Sequence, residues 1–288
     1  MATGVGREAS RCFAAVQGID FSGARLAGEA LWWATLQPQN NQRWRLTRLT
    51  SLAALVGSSQ RRAVLAYLRQ AIVTSQASLW ALDFSFALPA VLLDQQRSWR
   101  EWLAGVARWP DDAPGFGRYW AARARERTGR SNVLRQTERH HGAHLCAYHP
   151  HLVYQTFYGV REVLAPLSAE AGTAILPFDY PRLAQAQRVL VEALPAATLR
   201  RVGWPDRGYK SRGRGKWEQQ RVREQLVQRL ATQLTISSPA RQVILANTGG
   251  DALDAVLAAW GAIQAWSRVD HEALAKDALC QREGYEYV

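Results

Sequence analysis

Three strand-like segments follow one another near the start of the chain, and this arrangement constrains the fold more than any other feature. The segments cover residues 12–20, 28–36 and 43–52, and each is rich in apolar or alternating side chains. The gaps between them, FSGARLA and PQNNQ, are short enough for tight connections. The sequence therefore predicts an antiparallel meander of three strands.

The pattern then changes to helices alternating with strands. Residues 58–75 have the apolar spacing of an amphipathic helix, and the apolar run 79–85 is typical of a buried strand. Further helices are predicted at 91–109, 154–167, 217–234 and 251–266, and further strands at 171–179 and 189–191. This order favours an α/β fold with a mixed sheet under helical cover, while residues 110–153 look irregular.

Charge and cysteine content indicate the partners and the compartment. The chain carries 36 Lys and Arg against 24 Asp and Glu, a formal net charge of +12. Such charge attracts nucleic acids, although an arginine-rich surface gives the same total without a partner. The spacing of the three cysteines indicates no disulfide pattern. No apolar run approaches the length of about 20 residues that a transmembrane helix needs. We expect a cytoplasmic protein that binds no membrane; its oligomeric state stays open.

Acidic residues end the apolar strands or begin the last helix. Asp20 closes the first strand, Asp83 lies in the fourth, and Glu192 follows the strand before Pro195. Asp251 and Asp254 are three residues apart on one face of the last helix. Because isolated carboxylates are costly to bury, acids at such positions are usually paired or bound to a metal. Each acid alone can equally form a turn, cap a helix or lie at an exposed edge.

Short motifs distributed along the chain carry a resemblance to a known family. They are GIDFSGA (18–24), LDFSFALP (82–89), TFYGVREVLAPL (156–167), VEALPAATLRRVGWPDRGYK (191–210), DALDAVLAAW (251–260) and EGYEYV (283–288). In these motifs the chain resembles an uncharacterised family of predicted nucleases with a ribonuclease H-like fold. The resemblance implies one domain over residues 1–288, with three antiparallel strands, then parallel strands, and helices on both faces. Residues 110–153 would be an insertion within it.

The resemblance also implies which acids meet. Asp20 would lie beside Asp251 or Asp254, with Asp83 and Glu192 as further ligands of Mg²⁺ or Mn²⁺, cations that prefer carboxylate oxygens. We expect Glu192 to be the central acid, because it lies in the better-matched motif. The expected metal ligands are Asp20, Asp83, Glu192 and Asp251, and the expected catalytic residues are these four and Asp254.

A basic segment, RRVGWPDRGYKSRGRGKW at 200–217, interleaves positive and aromatic side chains. Basic side chains contact phosphates and aromatic rings stack on bases, so this segment could bind DNA or RNA. A solvated loop has the same composition. The residues predicted to bind nucleic acid are Lys210, Arg212, Arg214, Lys216, Trp204 and Trp217.

The histidine-rich segment ERHHGAHLCAYHPH, residues 138–151, follows no familiar zinc spacing, and a polar insertion is the simpler interpretation.

Three functions are consistent with the sequence as a whole. The first is a metal-dependent nuclease, and the second is a nucleic-acid-binding protein without turnover. The third is a phosphotransferase of the actin and sugar-kinase kind, for which Gly249-Gly250 is the only candidate for a second phosphate-binding turn.

Overall fold

A single mixed sheet organises the protein. The computed structural model describes residues 12–39, 43–94, 97–142, 145–211 and 217–288. The strands are β1 (Ala15–Asp20), β2 (Trp32–Pro38), β3 (Trp44–Ser51), β4 (Ser78–Asp83), β5 (Thr173–Ile175), β6 (Arg188–Glu192) and β7 (Leu234–Thr235). Their spatial order is β5-β6-β4-β1-β2-β3-β7. The first three are antiparallel, as predicted, whereas β4, β6 and β5 run parallel to β1, and β7 runs parallel to β3.

Thirteen α-helices accompany this sheet in the described part of the chain. They are α1 (Ala27–Ala30), α2 (Leu52–Val56), α3 (Arg61–Thr74), α4 (Trp99–Ala107), α5 (Ala113–Thr128), α6 (Val153–Gly159), α7 (Ala165–Ser168), α8 (Pro195–Arg201), α9 (Trp217–Gln233), α10 (Ser238–Ala246), α11 (Asp251–Trp266), α12 (His271–Lys276) and α13 (Cys280–Glu283). A π-helical turn, Val160–Leu164, joins α6 to α7. Within the described ranges, none of these helices combines the length and apolar character that a membrane crossing requires.

Strand side chains alternate between two apolar cores, one on each face of the sheet. In β4, Trp80 and Leu82 belong to the first core, and Leu79 and Ala81 belong to the second. Helices α3 to α6 complete the first core, and α8 to α11 complete the second. The α/β fold with helical cover on both faces is therefore confirmed.

Several elements differ from their predicted positions. Residues 110–153, predicted to be irregular, contain the 16-residue helix α5. The carboxylate of Asp112 caps this helix by accepting from the Gly115 N–H at 2.8 Å, and the helix ends at Gly129 with φ 74°. Phe116 and Trp120 bury one side of α5 in the first core. The polar and glycine-containing sequence of α5 hides this short apolar stripe.

Two other elements are shorter in the structure than the sequence predicts. The helix predicted at 91–109 begins only at Trp99, because Ser98 and Glu101 form a reciprocal capping box there. The strand predicted at 171–179 is reduced to the three residues of β5. The sequence does not predict helix α10, because Ile244 is the single buried side chain among its nine residues.

Helix α11 approaches β1 more closely than most side chains would allow. A Cβ atom at Gly18 would lie 2.0 Å from the carbonyl oxygen of Ala255 and 2.6 Å from the backbone nitrogen of Ala259. Glycine on the strand and alanines on the helix therefore permit this contact. The close approach holds the first turn of α11 beside the carboxyl end of β1, where Asp20 lies.

Candidate functional site

Two adjacent strands and one helix bring three aspartates together. Asp20 and Asp83 end β1 and β4 and face each other in the parallel ladder. Asp254 reaches the same place from the first turns of α11. One carboxylate oxygen from each residue lies within 4.8 Å of the other two. We call Asp20, Asp83 and Asp254 the aspartate cluster.

Burial makes negative charge costly in the aspartate cluster. Asp254 is 1% exposed and Asp20 is 9% exposed. Burial raises the pKa of the Asp83 carboxyl to about 8, and the neighbouring Asp254 carboxylate adds to that rise. The same two causes raise the pKa of Asp20 well above its ordinary value. The fully ionised cluster therefore requires a positive partner.

Lys210 supplies one positive charge. Its Nζ forms an ion pair with Oδ2 of Asp254, and it also lowers the pKa of Asp20 and Asp83, in opposition to burial. The Lys210 side chain is half-exposed, whereas the Asp254 side chain is buried. When all three carboxylates are ionised, one ammonium group leaves negative charge for another cation.

Tyr209 and Gly250 fix the geometry around Asp254. The buried Tyr209 hydroxyl donates to Asp254 Oδ1 at 2.8 Å, and the Tyr209 carbonyl accepts from Arg223 Nη1 at 2.6 Å. Gly250 has φ 87°, and a Cβ there would lie 2.9 Å from Lys210 Cγ. The residue before α11 thus packs against the Tyr209-Lys210 segment. The sequence places Tyr209 among the aromatic residues of the basic segment, but it does not indicate the hydrogen bond to Asp254.

Asp251 does not join the aspartate cluster, in contrast to its expected role as a metal ligand. It is the first residue of α11, and the cluster is instead completed by Asp254, one turn later. Three residues advance a helix by about 4.5 Å, enough to separate the two carboxylates. Burial raises the pKa of Asp251, and the charge of Asp251 contributes only a minor part of the rise at Asp20.

Glu192, which we expected to be the central acid, also lies outside the aspartate cluster. Glu192 pairs with Leu82 across β4 and β6, and Leu82 belongs to the first core. Asp20 pairs with Asp83, one residue further along, and successive strand residues face opposite sides. Glu192 therefore points to the other face of the sheet, where Arg135 binds it through Nη1 at 2.8 Å.

Arg135 is the centre of a second buried group, formed with Glu138, Glu192 and Glu286. We call these four residues the arginine cluster. The Arg135 guanidinium lies 2.5 Å from Glu138, contacts both oxygens of Glu192 and lies 3.5 Å from Glu286. The three carboxylates also satisfy the geometry for a metal ion. What distinguishes this cluster is that each of its six carboxylate oxygens already contacts Arg135 or His141, so the chain's own groups occupy the positions that a metal ion would take.

The C-terminal residues complete the arginine cluster. Glu286 forms a parallel bridge with Glu192, and the Tyr287 N–H donates to the Glu192 carbonyl at 2.9 Å. The Glu283 carbonyl accepts from Arg135 at 2.7 Å, and His141 Nδ1 lies 2.7 Å from Glu286. Burial raises the pKa of Glu192 to about 7, against the opposing effect of Arg135. The EGYEYV motif thus has a structural role that its sequence did not reveal.

The aromatic residues of the basic segment have different environments. Trp204 stacks on Trp260 with ring centres 5.1 Å apart, so it packs within the protein and is not a free platform for a base. Trp217 is 64% exposed at the start of α9, with the Arg221 guanidinium 5.3 Å from its ring centre. Three predicted contacts, Arg212, Arg214 and Lys216, lie outside the described residues.

The histidines do not form a metal centre in the part of the chain that the structure describes. His149 and His151 lie with ring centres 5.1 Å apart, and neither they nor His141 belong to a group of possible metal ligands. His144 lies outside the described residues, as does the side chain of His140.

Two surface cavities lie apart from both clusters. One, of about 330 Å³, is lined by α3 and the sheet residues Gln17, Trp33 and Trp80. The other, of about 220 Å³, lies between α4 and α5. Neither contains a member of the aspartate cluster, so the candidate site is recognised by its charged groups and not by cavity volume.

Comparison with known proteins adds one finding. A DUF429 family model, described as a protein of unknown function, matches residues 177–273. The matched segment contains Tyr209, Lys210 and Asp254, but it excludes Asp20 and Asp83. No curated protein and no solved structure matches the chain.

Proposed function

We propose that the protein is a divalent-metal-dependent nuclease of ribonuclease H-like fold that hydrolyses phosphodiester bonds in DNA or RNA. The observation that carries the proposal is the convergence of Asp20, Asp83 and Asp254 at one end of the sheet. The order of antiparallel and then parallel strands, together with the motif resemblance, supports the fold assignment.

The donor atoms fit Mg²⁺ or Mn²⁺. All three ligands are carboxylates, the oxygen donors that hard divalent cations prefer, and their oxygens are close enough to share one ion. Asp20, Asp83 and Asp254 would hold it. When bound, such an ion polarises a phosphoryl oxygen and stabilises the negative charge that develops during hydrolysis.

The chain's own residues hold and complement this centre. Tyr209 fixes one oxygen of Asp254 by donating to it, and Arg223 fixes Tyr209 from behind. Lys210 places a positive charge at the cluster, and Trp217 offers an exposed ring further along the same segment. The net charge of +12 favours a polyanionic substrate.

The proposal is tested by Asp20→Asn and Asp254→Asn. Mn²⁺ binding is followed by electron paramagnetic resonance, and cleavage is followed on labelled single- and double-stranded DNA and RNA. We expect each variant to lose more than about 100-fold in Mn²⁺ affinity and to lose cleavage, because a direct ligand matters at least as much as a supporting residue. The matched control is Asp270→Asn, an exposed helix cap at which Asn caps equally well. Wild-type cleavage by Asp20→Asn would contradict the proposal.

A second candidate function is nucleic-acid binding without turnover. The ion pair between Lys210 and Asp254 favours it, because an ammonium group partly neutralises the cluster without a metal. Saturable binding of DNA or RNA, combined with no cleavage in Mg²⁺ or Mn²⁺, would select this function over the first.

A further inference from the structure

Lys210 pairs with an acid that the proposed metal ion would also bind. Asp254 Oδ1 accepts from Tyr209, while Oδ2 carries the Lys210 ammonium. The charge of Lys210 also acts on Asp20 and Asp83, so the ammonium faces the whole aspartate cluster. A divalent ion that binds Asp254 must therefore share Oδ2 with Lys210 or displace it.

The surroundings of Lys210 allow its side chain to move while its backbone stays in place. On one side, the Tyr209 carbonyl is held by Arg223. On the other side, the Ser211 N–H donates to the Thr248 carbonyl at 2.8 Å. The Lys210 side chain is 51% exposed, and its stem lies along Gly250, which has no side chain of its own. Rotation about its own bonds can carry the ammonium from Asp254 toward solvent.

We propose that Lys210 is a displaceable internal cation: it neutralises the aspartate cluster without metal, leaves Asp254 when a divalent ion binds, and then contacts a substrate phosphate. This inference rests on the proposed function of the cluster. A lysine ammonium is suited to both positions, since it pairs with a carboxylate or a phosphate as a compact charge on a flexible stem. Metal loading and substrate binding would thereby be coupled through one side chain.

The test compares Lys210→Met with wild type in two separate assays. Without nucleic acid, we expect Lys210→Met to bind Mn²⁺ about 10-fold more tightly, because one charge-assisted contact no longer competes. In the second assay, the variant binds an oligonucleotide in the presence of Ca²⁺. We expect the affinity of Lys210→Met for the oligonucleotide to fall about 10-fold, and the slope of its salt dependence to decrease by the equivalent of about one phosphate contact. A residue with only a structural role would weaken both kinds of binding.

Two control variants sharpen the comparison. Lys210→Arg retains the charge, so its Mn²⁺ affinity should stay near that of wild type. Lys276→Met makes the same change at an exposed lysine that pairs with Glu272, and it should alter neither assay. Should Lys210→Met fail to fold, as judged by circular dichroism, Lys210→Gln provides the same comparison.

The outcomes separate this inference from the proposed function. Unchanged or weaker Mn²⁺ binding by folded Lys210→Met, with normal binding by wild type, overturns the inference alone. Mn²⁺ binding by neither protein overturns both the inference and the proposed metal centre. Mn²⁺ binding by Lys210→Met but not by wild type also overturns the inference, because it would show that the ion does not displace the Lys210 ammonium.

Discussion

At the scale of single residues, the candidate site depends on groups that support the acids as much as on the acids themselves. Tyr209 is buried, donates to Asp254 and is held in turn by Arg223. Such supporting hydrogen bonds orient a metal ligand and fix which of its oxygens stays available. Asp20 could be predicted from its position at a strand end, whereas the part played by Tyr209 depends on a contact 45 residues away in the chain.

Tyr209→Phe tests this supporting role. The change removes only the hydroxyl, so the ring still packs beside Gly250. We expect Mn²⁺ affinity to fall about 10-fold, and the free energy of unfolding to fall by only about 1 kcal/mol. Electron paramagnetic resonance and urea denaturation measure the two quantities. Tyr67→Phe, at an exposed tyrosine, is the matched control, and equal Mn²⁺ affinity in both variants would count against the role of Tyr209.

At the scale of helices and strands, elements with a strong apolar periodicity could be predicted from the sequence, whereas short or polar elements could not. The meander of β1 to β3 and the helices α3, α9 and α11 follow the spacing of their apolar residues. Helix α5 escaped prediction because its 16 residues combine proline, glycine and arginine with only a narrow buried stripe. The close contact between α11 and β1 also could not be predicted, because a single glycine in a strand does not indicate which helix will pack against that strand.

Gly18→Ala tests whether that contact holds the site together. The added methyl group would collide with the Ala255 carbonyl oxygen, which belongs to the backbone and cannot rotate away. We expect a loss of about 3 kcal/mol in the free energy of unfolding, together with weaker Mn²⁺ binding as α11 moves from β1. Gly105→Ala in α4 is the control, because its Cβ meets no atom within 4 Å and alanine favours helices. Equal stability of the two variants would refute the argument.

At the scale of the whole molecule, the assembly of acids depends on strand register and on which face each side chain occupies. The sequence showed that Asp20, Asp83 and Glu192 lie near strand ends. It could not show that Glu192 is offset by one residue from Asp83, and a one-residue offset places a side chain on the other face. For the same reason, the partner of Glu192 was unpredictable, because Arg135 comes from the segment that appeared irregular.

Arg135→Met tests whether the arginine cluster stabilises the contact between distant parts of the chain. Removing the guanidinium leaves Glu138, Glu192 and Glu286 buried without their positive partner. We expect a loss of about 3–5 kcal/mol in the free energy of unfolding, measured in urea. Arg118→Met, at an arginine with a 74% exposed side chain, should change stability by less than about 0.5 kcal/mol. A small effect at Arg135 would mean that the C-terminal residues are held mainly by other contacts.

The most direct test of the central claim is an anomalous difference map from a crystal of the protein soaked in Mn²⁺. The account predicts a peak bounded by Asp20, Asp83 and Asp254, with the Lys210 ammonium moved away from Asp254. A peak within the arginine cluster alone, or an aspartate cluster that binds no Mn²⁺ and retains its Lys210 ion pair, would contradict it.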